Sequence, residues 1–205
     1  MSGIWLVSYI ALWGLVILLT VVVLGLVRQL GLIHLRLGPD NDLVTTNEGL
    51  EIGLPAPDFQ ADDVLNGHEI ALSNLKGHPS ILVFVSTSCQ PCQELMPHLV
   101  SFHRSKNGKV NIVLFIQAEA EESVQFAKNH QLKIPVVSDP QGDLSKVYQV
   151  RATPFAYGLD RKGIVQRRGV VNNLQGLDTL LEAASTSELI VELPKPVEGS
   201  KDRAK

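Results

Sequence analysis

Cys89 and Cys92 are all the cysteine that this chain of 205 residues contains. A bridge between them closes almost no loop, whereas a disulfide stabilises a chain chiefly by closing a long one. The pair therefore reads as a reversible dithiol–disulfide couple, or as half of a metal site. In a couple, the thiolate is the reactive species, and a helix N-terminus beneath it favours that form. Cys89 then attacks a substrate disulfide. Cys92, about one helical turn further on, attacks the mixed disulfide that results and releases the product. A metal site would need further ligands. The histidines are His34, His68, His78, His98, His103 and His130. Of these, His98 and His103 are the nearest to each other in sequence, and, five positions apart with Pro97 alongside, they diverge around a helix. No metal and no cofactor is expected.

The flanking pattern supplies the elements such a couple requires. Residues 81–86 (ILVFVS) form a short, continuous, β-branched run, as expected of a strand buried on both faces. A helix is predicted over residues 90–105, with Leu95, Leu99 and Phe102 on one face. Pro91 is tolerated in its first turn, and Pro97 should kink it. Residues 110–116 read as a second buried strand, 119–130 as a helix, 134–138 as a short strand and 142–150 as a helix. Two strands, 155–159 and 164–170, follow with a charged turn between them, and a helix over 174–184 closes the run. Upstream, Asn66-Gly67 marks a hairpin. Thr153-Pro154 immediately precedes a strand. A cis proline there, opposite the C-x-x-C, would hold an extended substrate chain against Cys89. The other reading is a proline that simply starts a strand. Taken together, a βαβ half is joined to a ββα half through an insertion at residues 134–150. This is the thioredoxin-like α/β arrangement, a mixed sheet flanked by helices.

Residues 4–27 carry no charge, and about 20 apolar residues suffice to cross a bilayer as a helix. No basic residue precedes the run and no small-residue cleavage pattern follows it, so an uncleaved anchor is expected rather than a signal peptide. Residues 28–51 read as a juxtamembrane linker, 52–187 as the soluble domain and 188–205 as a disordered, Pro-, Lys- and Glu-rich tail. Arg28 and Arg36 follow the apolar run, and by charge bias alone they would keep the domain in the cytoplasm. With a formal net charge of −3 and 5% aromatic residues, nothing invites nucleic acid.

The run Gly53-Leu54-Pro55-Ala56-Pro57-Asp58-Phe59, then residues 72–77 (LSNLKG), the C-x-x-C and Ala152-Thr153-Pro154 resembles the redoxin branch of the thioredoxin superfamily. The anchor followed by residues 28–39 (RQLGLIHLRLGP) is similar to the MauD family of methylamine dehydrogenase accessory proteins. That resemblance implies a single-pass inner-membrane protein with a periplasmic domain, and a redox partner in or near the membrane. It also implies a role in forming or isomerising disulfides in a client protein, the small subunit of methylamine dehydrogenase. Cys89 would be the nucleophile, Cys92 the resolving thiol, and Thr153 and Pro154 the substrate-binding loop. The chain departs from the pattern at Gln90, where those proteins place proline, and at Val83, where thioredoxin has a buried acid. Glu94 is then an alternative proton acceptor or a solvated first-turn residue. Two rival functions use the same cysteines: a generic thiol reductase for cytochrome c maturation, and a copper metallochaperone with a histidine as third ligand. Peroxidase chemistry fits less well, because Leu82 and Ser86 stand where a proline and a threonine are needed.

Overall fold

The computed structural model describes residues 2–36, 43–44 and 48–191, with side chains for residues 3, 5, 7–23 and 48–186. The chain divides into two units, residues 1–41 and 42–205. The first holds one helix, α1 (Ser2–Arg36). Every described side chain on α1 is exposed. Among the described residues no helix is long and apolar enough to cross a membrane. The continuous stretch of described side chains on α1, residues 7–23, is shorter than the roughly 20 residues a span requires. The expected anchor, 4–27, extends past that stretch at both ends.

The second unit is built around six strands. In chain order its elements are β1 (Leu43–Val44), β2 (Gln60–Asp62), β3 (Glu69–Ala71), α2 (Leu72–Leu75), β4 (Ser80–Val85), α3 (Gln90–Lys106) and β5 (Asn111–Ile116). There follow α4 (Ala120–Asn129), β6 (Val136–Ser138), α5 (Asp143–Val147), β7 (Phe155–Leu159), β8 (Val165–Val171) and α6 (Leu174–Val191). The main sheet runs β1-β8-β7-β4-β5-β6, and β2 and β3 form a separate hairpin. The pairs β4–β5 and β5–β6 are parallel, while β4–β7, β7–β8 and β1–β8 are antiparallel. This is the mixed sheet that the sequence predicts.

The strands read as unbroken apolar runs because both faces of the sheet are covered. All six residues of β4 are buried. Ile81, Val83 and Val85 share one cluster with Leu95 and Leu99 of α3, Ala127 of α4 and Leu180 of α6. Leu82 and Phe84 belong to the other, with Phe59, Leu72, Phe115 and Tyr148. That second cluster is knit by ring contacts: Phe84 stacks on Phe115 at 4.6 Å, and Phe59 meets Phe115 edge-on at 5.1 Å. Stacked and edge-on pairs of this kind are worth about 1 kcal/mol each beyond the area they bury.

Helix α3 runs through Pro97 as predicted, to Lys106, and the structure departs from the sequence reading in three places. Part of the expected linker belongs to the sheet. Leu43 and Val44 pair with Val171 and Val170, the Leu50 N–H donates to the Tyr157 hydroxyl (3.1 Å), and Arg168 donates to the Gly49 carbonyl (3.0 Å). Two residues of strand have no period to read, and their partner lies over 120 positions away. Secondly, α5 is shorter than expected and stops at Val147. Finally, α6 passes the expected start of the tail and runs to Val191. The rest of that tail, 192–205, lies outside the described residues.

Candidate active site

Parallel strands and right-handed crossovers place the C-terminal ends of β4, β5 and β6 along one edge of the domain. At that edge β4 ends on Val85, the chain turns through Ser86-Thr87-Ser88, and α3 begins at Gln90. Cys89 is the N-cap of α3. Its backbone is extended (φ −86°, ψ 111°), and its side chain accepts from the Cys92 N–H at 3.3 Å. A helix start leaves four N–H groups without helical partners, and here one of them points at sulfur. Around the turn, the Cys89 N–H donates to Ser86 O (3.2 Å) and Gln93 Nε2 to Thr87 O (2.9 Å). The Thr87 hydroxyl bonds to the Glu122 carboxylate on α4. These contacts fix the turn at both ends and from the neighbouring helix.

Cys89 and Cys92 form a disulfide. Their surroundings differ sharply. Cys89 is half-buried at the surface, whereas Cys92 is fully buried in the cluster of Val83, Leu95 and Leu99. Val83 stands on the apolar face of that cluster, so no carboxylate from β4 approaches Cys92. The neighbouring acid, Glu94, is exposed and accepts from Gln90 Nε2 at 3.0 Å. This contact joins positions i and i+4 on the outer face of α3, away from the buried Cys92.

Thr153-Pro154 is a cis peptide bond. Cys89 Sγ lies 3.5 Å from the Thr153 carbonyl oxygen across 64 residues of sequence. Pro154 is buried and Thr153 half-buried. The structure thus brings Cys89, Cys92, Thr153 and Pro154 to one place. Among the described residues, no group of three or more His, Cys, Asp or Glu side chains is arranged to hold a metal ion. A cavity of about 350 Å³ opens between the C-terminal half of α3 (Leu99, His103) and the segment after α4 (Leu132, Ile134). It lies at the opposite end of α3 from the sulfurs.

The residues that sequence reasoning missed are those that arrive from far along the chain. Thr87 and Glu122 carry no local signal of their contact, because neither lies in a motif. The same holds for Asp63, whose buried carboxylate accepts from the Val136 N–H (3.1 Å) and the Leu65 N–H (3.0 Å). It ties the β2–β3 hairpin to the strand that opens the insertion.

Residues 52–169 match the model of the AhpC/TSA family. The methylamine utilization protein MauD of Paracoccus versutus is 33% identical over 180 residues, which span 87% of this chain and 88% of that protein. The chain belongs to the AhpC/TSA family, on its MauD branch. The thiol-disulfide oxidoreductase ResA of Bacillus thuringiensis subsp. konkukian is 35% identical over 123 residues, or 59% of this chain and 70% of that protein. Among solved structures, a thiol:disulfide interchange protein of the thioredoxin family from Chlorobium tepidum superposes with a TM-score of 0.57 at 21% identity. That superposition covers 66% of this chain and 98% of the other, and speaks to the fold. On this family membership the chain is a thiol–disulfide oxidoreductase of thioredoxin-like fold.

Proposed function

We propose that this oxidoreductase is a single-pass inner-membrane protein, anchored through residues 4–27, whose domain faces the periplasm. There it forms or reshuffles disulfides in a client protein. The MauD relatives are named for methylamine utilization, and the resemblance in the residues points to the small subunit of methylamine dehydrogenase as the client. An oxidising compartment suits a centre that handles protein disulfides, and this outweighs the two arginines that follow the apolar run.

The observation that carries the chemistry is the placing of Cys89 Sγ, half-exposed, between the Cys92 N–H and the Thr153 carbonyl. In the oxidising direction, a client thiolate attacks Cys89 Sγ. The Cys89–Cys92 bond breaks, and its electron pair leaves on Cys92 Sγ, which takes up a proton in its apolar surroundings. A second client thiolate then attacks the client sulfur of the mixed disulfide. Cys89 leaves as a thiolate, held by the Cys92 N–H and the α3 N-terminus. The client gains one S–S bond, and two electrons remain on the couple for a redox partner in or near the membrane. Thr153 and Pro154 hold the client chain extended beside Cys89. Isomerisation uses the same steps, with Cys89 as the first attacking thiolate.

Two measurements on cells test this. Cys92→Ser should accumulate a mixed disulfide between Cys89 and the client, while Cys89→Ser should not; equal capture by both variants would sink the assignment of roles. A membrane-impermeant maleimide should label Cys89 in intact cells after reduction. Labelling only once the cells are opened would put the domain in the cytoplasm.

A further inference from the structure

Beside Thr153 the surface continues into a groove of about 300 Å³. Its walls include Gln117 at the end of β5, Gln141, Ser145 and Lys146 around the start of α5, and Arg151 and Thr153 on the approach to the cis proline. Gly142 keeps the floor open, since a Cβ there would stand 3.2 Å from Gln117 Nε2, and its φ of 67° suits glycine. The lining carries two cations and no carboxylate. The two acids that flank Gly142 in this segment, Asp139 and Asp143, are already engaged. Asp143 pairs with Lys146 at 3.0 Å. Buried Asp139 accepts from the N–H groups of Leu144 and Ser145 and from the Ser145 hydroxyl. Arg151 is exposed and makes no hydrogen bond or ion pair among the described residues. A chain with a net charge of −3 thus presents a basic groove directly next to the carbonyl that touches its half-buried sulfur.

We propose that this groove takes the client segment flanking the attacked cysteine and selects an acidic side chain in it. Arg151 pairs with the carboxylate, and the Gln117 and Gln141 amides serve as neutral donors to the same segment. Lys146, shared with Asp143, contributes less. Thr153 both lines the groove and touches Cys89 Sγ, so the selected residue lies close to the client cysteine in sequence. The inference rests on the thiol-exchange reading above and adds the chemistry of the client to it.

The test uses the full-length reduced protein in detergent and blocked peptides with one cysteine, carried as its pyridyl disulfide. The flanks hold glutamate, glutamine or lysine. Cys89 thiolate attacks the peptide sulfur and displaces pyridine-2-thione, whose absorbance is read. Cys92 then closes the disulfide and frees the peptide thiol. Each rate is divided by that of dithiothreitol with the same peptide. The glutamate peptide should react about tenfold faster than the lysine peptide at low salt, and the gap should narrow steeply as salt shortens the screening length below about 10 Å. Arg151→Glu should reverse the preference and Arg151→Gln should reduce it. Equal normalised rates for the three wild-type reactions, or a preference indifferent to salt, would overturn the proposal even where a variant fails to fold. If no peptide releases thione while dithiothreitol reacts with all of them, the exchange reading falls, and the selectivity with it.

Discussion

At the scale of single residues, the two cysteines are distinguished by position rather than by type. Cys89 caps a helix and reaches the surface, while its partner is enclosed by Val83, Leu95 and Leu99. After reduction, iodoacetamide should therefore alkylate Cys89 at least about tenfold faster than Cys92, because burial hinders access and an apolar setting disfavours a thiolate. Peptide mapping of the alkylated protein reads this directly, and equal labelling would contradict it. Two tyrosines behind the sheet make a second case. Tyr148 donates to the Pro57 carbonyl (2.6 Å), and Tyr157 donates to the Tyr148 carbonyl. Burial first, and the nearby Asp58 second, push the Tyr148 phenol above its ordinary value, and burial does the same for Tyr157. Both are thus neutral in the fold at a pH where the unfolded chain has begun to ionise. Above about pH 10 the unfolded state releases protons first, so stability falls as pH rises through that window and is intact below it. Tyr148→Phe should cost about 1 kcal/mol at pH 7 through the lost hydrogen bond and should flatten the alkaline decline. Urea midpoints measured at several pH values check both parts.

Elements meet at contacts that tolerate little change. Gly158 of β7 lies under α6, and a Cβ there would come within 2.6 Å of the Leu180 carbonyl oxygen. The obstacle is helix backbone, not a flexible side chain. Gly158→Ala should therefore destabilise by about 1–3 kcal/mol, seen as a lower urea midpoint, with thiol exchange retained in the folded fraction. Asp63 joins two elements that the sequence presents separately. Asp63→Ala leaves the N–H groups of Leu65 and Val136 without their acceptor and should cost about 2–4 kcal/mol. Asp63→Asn, which keeps one acceptor oxygen, should cost less. Equal stability of the two variants would mean that the carboxylate is not what holds the hairpin. The β4–α3 junction, by contrast, was legible. A β-branched run followed at once by C-x-x-C with proline in the first turn leaves few alternatives to a strand feeding a helix.

For the whole molecule, the division of the chain at residues 41 and 42 has a consequence for truncation. A chain beginning at residue 42 keeps β1 and the bonds that Gly49 and Leu50 make to Arg168 and Tyr157. It should fold and exchange thiols in solution. One beginning at residue 52 loses that edge strand and those bonds, and should be less stable by about 2–4 kcal/mol. Thermal melts of the two proteins separate these outcomes. The same comparison distinguishes a spacer from a working part of the sheet, which composition alone does not, since residues 28–51 read as a linker.

Local chemistry and periodicity determined much of this protein. The strands announced themselves because a sheet covered on both faces demands unbroken apolar runs, and the couple did so because two thiols three apart have no use as a staple. The thioredoxin-like order of elements followed from those runs. Tertiary structure alone decided what depends on distant residues meeting. It brought the Thr153 carbonyl to Cys89, made the Thr153-Pro154 bond cis, set Glu122 on Thr87, and drew Leu43 and Val44 into the sheet. It also gathered Gln117, Lys146 and Arg151 around one groove. The contacts of Cys89 with Thr153, of Thr87 with Glu122 and of β1 with β8 each span tens of residues, and the free energy that fixes them comes from the packing of the whole domain. No window of sequence contains that packing.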